Sequence, residues 1–150
     1  MPLMAVKEFE RLFRRAAGLD VDKDDLRRLG EFLRDRLYDM LVVGEAHAKA
    51  NGRDVIEPQD LPVTKGLQEA LHEFRADTEA ERKLEDVLEA LAGRPRLDLD
   101  YSEETERMLP ELAGALTIVL ARLFRVIEPE VRNPQTRHWE RAERAFRLLL

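Results

Sequence analysis

Cysteine is absent from this chain, which removes disulfides, thiolate nucleophiles and cysteine-ligated zinc from consideration. Long hydrophobic runs are missing as well. The most apolar stretch, Leu112 to Ile127, is broken by Arg122 and Arg125 and falls short of the roughly 20 residues that cross a bilayer. Met1 to Phe13 carries Lys7, Glu8, Glu10 and Arg11 where a signal peptide would keep an uninterrupted apolar segment. The expectation is therefore a cytoplasmic chain with no membrane partner. Glycine is sparse, and Gly66, Gly93 and Gly114 stand alone, so no glycine-rich loop cradles a phosphate. His47, His72 and His138 are too dispersed for a histidine zinc pair, and no spacing suggests a Ser/His/Asp arrangement. Glu103, Glu104 and Glu106 fit the acidic first turn of a helix capped by Ser102 better than an acid–base pair. No cofactor, no metal and no enzymatic activity are expected.

Positive charge is also in deficit, with 25 Lys and Arg against 31 Asp and Glu and a formal net charge of −6. Such a molecule repels a polyanion at long range, and any contact with nucleic acid needs a local basic patch. What the chain does have is 37% charged and 44% hydrophobic residues, too apolar for disorder and typical of amphipathic helices. Its 150 residues suffice for one compact domain, or for two small units that share a core because neither buries enough surface alone.

Period-two alternation is nearly absent and spacings of three and four recur, so the chain is predicted to be all-α. Phe9, Leu12, Phe13 and Ala16 mark a short first helix ended by Gly18. Asp22 caps a long second helix with Leu26, Leu29, Leu33, Leu37, Met40 and Gly44 on its inner stripe, stopped by Asn51-Gly52. Pro58 and Asp60 read as the opening of a third helix that turns Val63, Leu67, Ala70, Leu71 and Phe74 inward. After the polar segment Arg75 to Thr78 the short-long-short order recurs. Leu84, Val87, Leu88 and Leu91 precede the break at Gly93-Arg94-Pro95, and a long stripe follows at Leu109, Leu112, Leu116, Val119, Leu123 and Ile127. Trp139, Ala142, Phe146 and Leu149 make the last helix. The cap of the second long helix is open among Asp98, Asp100 and Ser102. Pro110 falls inside that helix, where it removes a hydrogen bond and favours a kink. Periodicity alone leaves an ordinary six-helix bundle open.

One stretch goes further. Gly52-Arg53, Ile56 and Asp60 stand in a pattern of Gly-Arg, two residues, Ile, three residues, Asp that resembles the second loop and third-helix start of archaeal histones. Without a gap, Val21-Asp22 then falls where those proteins begin their long helix, and Arg11-Leu12-Phe13 on their first-helix pattern of an arginine before two apolar residues. The likeness covers Val6 to Phe74. Later in the chain, Ala92-Gly93-Arg94-Pro95-Arg96-Leu97-Asp98 resembles the family's first loop. The resemblance implies two tandem histone folds, residues 1–76 and a more divergent 77–150, paired within one molecule around one shared core. The layout is similar to that of a bacterial family of single-chain double histone folds, a likeness that brings a fold and no established activity. It also implies a structural Arg53–Asp60 salt bridge. No Arg–Asp pair at that spacing follows Arg132.

Histone pairs hold DNA through basic groups on their first helices and on two ends, each built from a first loop and a second loop. On that pattern the phosphate contacts are Arg11, Arg94, Arg96, Arg132 and Arg137, with Arg14 and Arg15 near the first. Other positions are hostile. Asp20 replaces the first loop's cation, with Asp22, Asp24 and Asp25 behind it, and Asp54-Val55 replaces a lysine and a hydroxyl donor in the second loop. Ion pairs within a helix, such as Glu10 with Arg14, compete for the same arginines. Two functions follow as expectations. One is weak association with double-stranded DNA without nucleosome-like wrapping, beside the nucleoid. The other is an acidic protein–protein interaction scaffold that has lost DNA.

Overall fold

The computed structural model describes residues 3–92 and 95–150. Helix α1 spans Leu3–Ala17, α2 Lys23–Ala50, α3 Lys65–Ala76, α4 Thr78–Ala92, α5 Glu103–Ile127 and α6 Thr136–Leu149. The only strands among the described residues are the two-residue pieces β1, Val55–Ile56, and β2, Asp100–Tyr101. The fold is all-α, and short, long and short helices occur in that order twice.

Local chemistry sets most of the boundaries. Gly18 adopts φ of 65°, a conformation that costs glycine nothing, and α1 stops there. Asp22 accepts from the Asp25 amide at 2.9 Å while Asp25 accepts from the Asp22 amide at 3.0 Å, a reciprocal box at the start of α2. Ser102 caps α5 by accepting from the Thr105 amide at 3.2 Å, and the helix runs on through Pro110. One boundary departs from the sequence reading. Pro58–Asp60 form a single 3-10 turn, and α3 begins seven residues after Pro58, at Lys65, behind the cap Thr64. Leu61 precedes Pro62 and is held at ψ 140°, the extended geometry that a following proline imposes. Val63 thus lies ahead of the helix.

The two long helices run antiparallel, a relation fixed by their ends. Beyond the C-terminus of α2, β1 pairs in parallel with β2, which leads directly into α5: Val55 opposite Asp100 and Ile56 opposite Tyr101. The Ile56 carbonyl accepts from the Ser102 amide at 3.0 Å and from the Thr105 hydroxyl at 2.9 Å. At the opposite end of α2, the Asp20 amide donates to the Arg132 carbonyl at 2.8 Å, joining the loop before α2 to the loop after α5. The two junctions lie about 40 Å apart along α2, taking a rise of roughly 1.5 Å per residue.

Helix α5 touches all five other helices, and every side chain from Leu112 to Ile118 is buried. Buried apolar residues from both halves join in one continuous core. Phe32 meets Phe146 edge-on at 4.9 Å, and Phe124 meets Trp139 at 5.1 Å, geometries that aromatic quadrupoles favour. Leu149, expected inside, is 78% exposed because the core ends at Phe146. Among the described residues no helix is long and apolar enough to cross a membrane.

Candidate functional site

The four candidate phosphate-binding arginines among the described residues fall in three places. Arg11 projects from α1 toward the junction between α3 and α4. There Asp77 terminates α3 and its side chain accepts from the Ala80 amide at 3.2 Å, capping α4. Arg11 Nη2 reaches both Asp77 oxygens at 3.1 Å, and its Nε donates to Glu8 at 2.7 Å. Arg15 pairs with the same carboxylate. Burial pushes the Asp77 carboxyl up, but the Ala80 amide and the Arg11 guanidinium outweigh that, leaving it below the ordinary carboxylate range. The Glu8 hydrogen bond raises the pKa of Arg11 in turn. Lys83 of α4 lies 2.8 Å from Glu79 and 3.8 Å from Glu8. Arg11 and Arg15 of α1 and Lys83 of α4 are thus engaged by carboxylates of the same molecule.

At the β1–β2 end, Arg53 and Asp60 form the expected bridge, both guanidinium nitrogens lying 2.5 Å from the carboxylate oxygens. Asp60 is 2% exposed and also accepts from the Glu57 amide at 2.8 Å. The Arg53 hydrogen bond is the main cause that lowers its pKa to about 2. Lys49 contacts Glu45 at 3.6 Å and Asp98 at 3.4 Å. Arg96 is exposed and has no ion pair among the described residues. Arg94 lies outside the described residues.

At the other end Arg132 is exposed, while Arg137 lies 3.2 Å from Glu128, whose pKa falls chiefly because of that hydrogen bond. Arg14 sits 3.4 Å from Asp20. Where the first half places Asp60, the second places His138, 1% exposed. Its Nδ1 accepts from the Gln135 amide at 2.8 Å, as Asp60 does from Glu57, and its Nε2 lies 3.3 Å from Glu128. An acceptor Nδ1 puts the neutral ring's proton on Nε2, facing the carboxylate. That Nε2 is buried and makes no hydrogen bond, so the Arg53–Asp60 clamp is not repeated after Arg132 among the described residues.

Arg96 and Arg132 stand at opposite ends of the molecule, and Arg11 lies at neither. Between α4 and α5, a groove of about 540 Å³ is bordered by Glu81, Glu85, Glu89, Glu103, Glu106 and Glu111, with Arg107 as the cation of its lining. Among the described residues no group of three His, Cys, Asp or Glu could hold a metal ion. Asp77 was missed by sequence reasoning. An aspartate before Thr78 is a legible helix cap, but its pairing with Arg11, 66 residues away, has no sequence signal.

Residues 9–147 match the family model described as a domain of unknown function, DUF1931. The chain belongs to that family. Two Aquifex aeolicus (strain VF5) proteins described as uncharacterised are 29% identical over 136 residues and 25% identical over 122 residues. These matches cover 83% and 79% of this chain, and 79% and 71% of the relatives. A crystal structure of a Thermus thermophilus protein is 55% identical, covers 97% of both chains and superposes with a TM-score of 0.81. A crystal structure of an Aquifex aeolicus protein, 20% identical over 97% of this chain and 95% of its own, gives 0.82 and speaks for the fold alone.

Proposed function

We propose that the chain is a pair of histone folds, residues 1–76 and 77–150, joined in tandem, and that it serves as a cytoplasmic protein-interaction scaffold that has given up DNA wrapping. Support for the fold reading comes from the two junctions, each between a first loop of one half and a second loop of the other, at the ends of antiparallel long helices. Fusion makes the pairing intramolecular and removes its dependence on concentration. No catalytic role, metal or cofactor enters this reading.

The observation that carries the scaffold reading is the engagement of Arg11 by Glu8 and Asp77. A guanidinium already bonded to two carboxylates has to break those contacts before it meets a phosphate, and little counterion release is left to drive the exchange. The glutamate-bordered groove along α4 adds repulsion beside the same surface.

Titration of labelled duplex DNA by fluorescence polarisation, at about 20 mM and about 150 mM salt, tests it. The expected result is no saturation at the higher salt at protein concentrations spanning the ordinary non-specific range of about 10⁻⁶ to 10⁻⁴ M. Purified protein that keeps nucleic acid through moderate salt would overturn the reading. Arg96 and Arg132, exposed and without an ion pair among the described residues, favour a second reading, weak DNA association by a nucleoid-adjacent chain. It requires residual low-salt binding that the double substitution Arg96→Ala and Arg132→Ala removes.

A further inference from the structure

A second groove, of about 760 Å³, runs between α2 and α4 with Val6 of α1 at its side. Its floor is apolar, made by Leu26 of α2 and by Val87 and Leu91 of α4. Gly30 lies in that floor because α4 comes close: a Cβ there would meet the Leu91 side chain at 3.0 Å. Glycine inside a helix costs about 1 kcal/mol relative to alanine, and here the close approach accounts for it.

Along the α2 side stand Lys23, Arg27 and Arg34. All three are exposed, and among the described residues none has an ion pair, in contrast to Arg11, Arg14 and Arg15 of α1. Asp86 of α4 is the one carboxylate among the described residues that lines the groove. Lys23 and Arg27 are one turn apart, and Arg34 two turns further on, so the three face the same way over about 16 Å.

We propose that this groove docks an acidic amphipathic helix of a partner protein. An apolar floor takes the hydrophobic stripe of such a helix, and the cation row takes carboxylates at matching turns along one flank. A single anionic headgroup meets one of these cations and leaves the others unused. Duplex DNA has no apolar stripe for the floor. The proposal deepens the scaffold reading by naming its surface and the charge of its partner, and it rests on that reading.

The probe is a labelled three-turn helical peptide with leucines on one stripe and glutamates flanking it, titrated against the full chain by fluorescence polarisation. A control peptide keeps the leucines and carries lysines in place of the glutamates. Saturable binding of the acidic peptide, weakened about tenfold or more by Arg27→Glu with Arg34→Glu, is the expected result, with the lysine peptide bound at least as weakly as that. Both substituted side chains are exposed, and circular dichroism checks that the variant folds. The proposal is overturned if the acidic peptide does not saturate, if it binds the variant as well as the native chain, or if the lysine peptide binds equally. A chain that ignores both peptide and DNA loses the groove and keeps the scaffold reading, whereas DNA held through moderate salt defeats the scaffold reading.

Discussion

Gly114 of α5 lies beneath Phe74 of α3 so closely that a Cβ at position 114 would come within 2.2 Å of the ring. No side chain fits that gap without displacing the phenyl group, which is 1% exposed and central to the core. Gly114→Ala is therefore expected to destabilise the fold by about 2 kcal/mol, the overpacking cost exceeding the helix propensity gained. Urea denaturation measures it. Combined with Phe74→Leu, the double variant should lose less than the sum of the two single losses, because both changes act on one contact.

Asp60 sets a pH dependence of definite sign. Its carboxyl ionises at about 2 in the folded chain against an ordinary 3.8, so the stabilisation it supplies is present above pH 4 and lost as pH falls toward about 2. Asp60→Asn should cost about 2–3 kcal/mol at neutral pH, since the Arg53 guanidinium loses its charged partner. The gap between native and variant urea midpoints should stay constant above about pH 4.5 and shrink below pH 4. A gap that persists unchanged at pH 2.5 contradicts this account.

Asp77→Asn isolates the charge on the α1 cations from the capping role. Asparagine caps a helix about as well as aspartate, so α4 should persist by circular dichroism while Arg15 loses its carboxylate and Arg11 keeps only Glu8. The variant should bind duplex DNA more tightly than the native chain at low salt, its salt slope steepening by about 1 to 2. Unchanged DNA affinity in a folded variant would show that these arginines do not face a phosphate path.

Trp139, the single tryptophan, donates its indole N–H to Asp25 at 3.0 Å and ties α6 to the start of α2. Burial raises the Asp25 pKa despite the Asp22 amide and the indole, so this group favours folding below its pKa and loses that contribution as pH rises through it, opposite in sign to Asp60. Trp139→Phe should cost about 1–3 kcal/mol at neutral pH, where the ionised carboxylate misses a donor. The deficit should narrow on acidification toward pH 4, read from urea midpoints followed by circular dichroism.

Much of this architecture was legible in the chain itself. The stripes of α2 and α5, the cap at Asp22 and the stop at Gly18 rest on interactions within a few residues, which periodicity and turn chemistry report, while the Arg53–Asp60 bridge was implied by the resemblance to archaeal histones. The third-helix start was misplaced because Pro58 and Asp60 imitate a helix opening, while the constraint from Pro62 on Leu61 delays it. Leu149 matched the stripe of α6 but had no facing surface to bury it.

From the amino-acid order alone came the all-α class, the doubled short-long-short plan and the acidic balance, because helical period and composition are local or additive properties. Only the tertiary structure decided the state of the arginines. Arg11 looked like a phosphate ligand by position and is held by Asp77, and Lys23, Arg27 and Arg34, which no sequence pattern singled out, border an open groove. Charge pairing across 66 residues and the space left between α2 and α4 depend on how helices approach in three dimensions, which no spacing along the chain encodes.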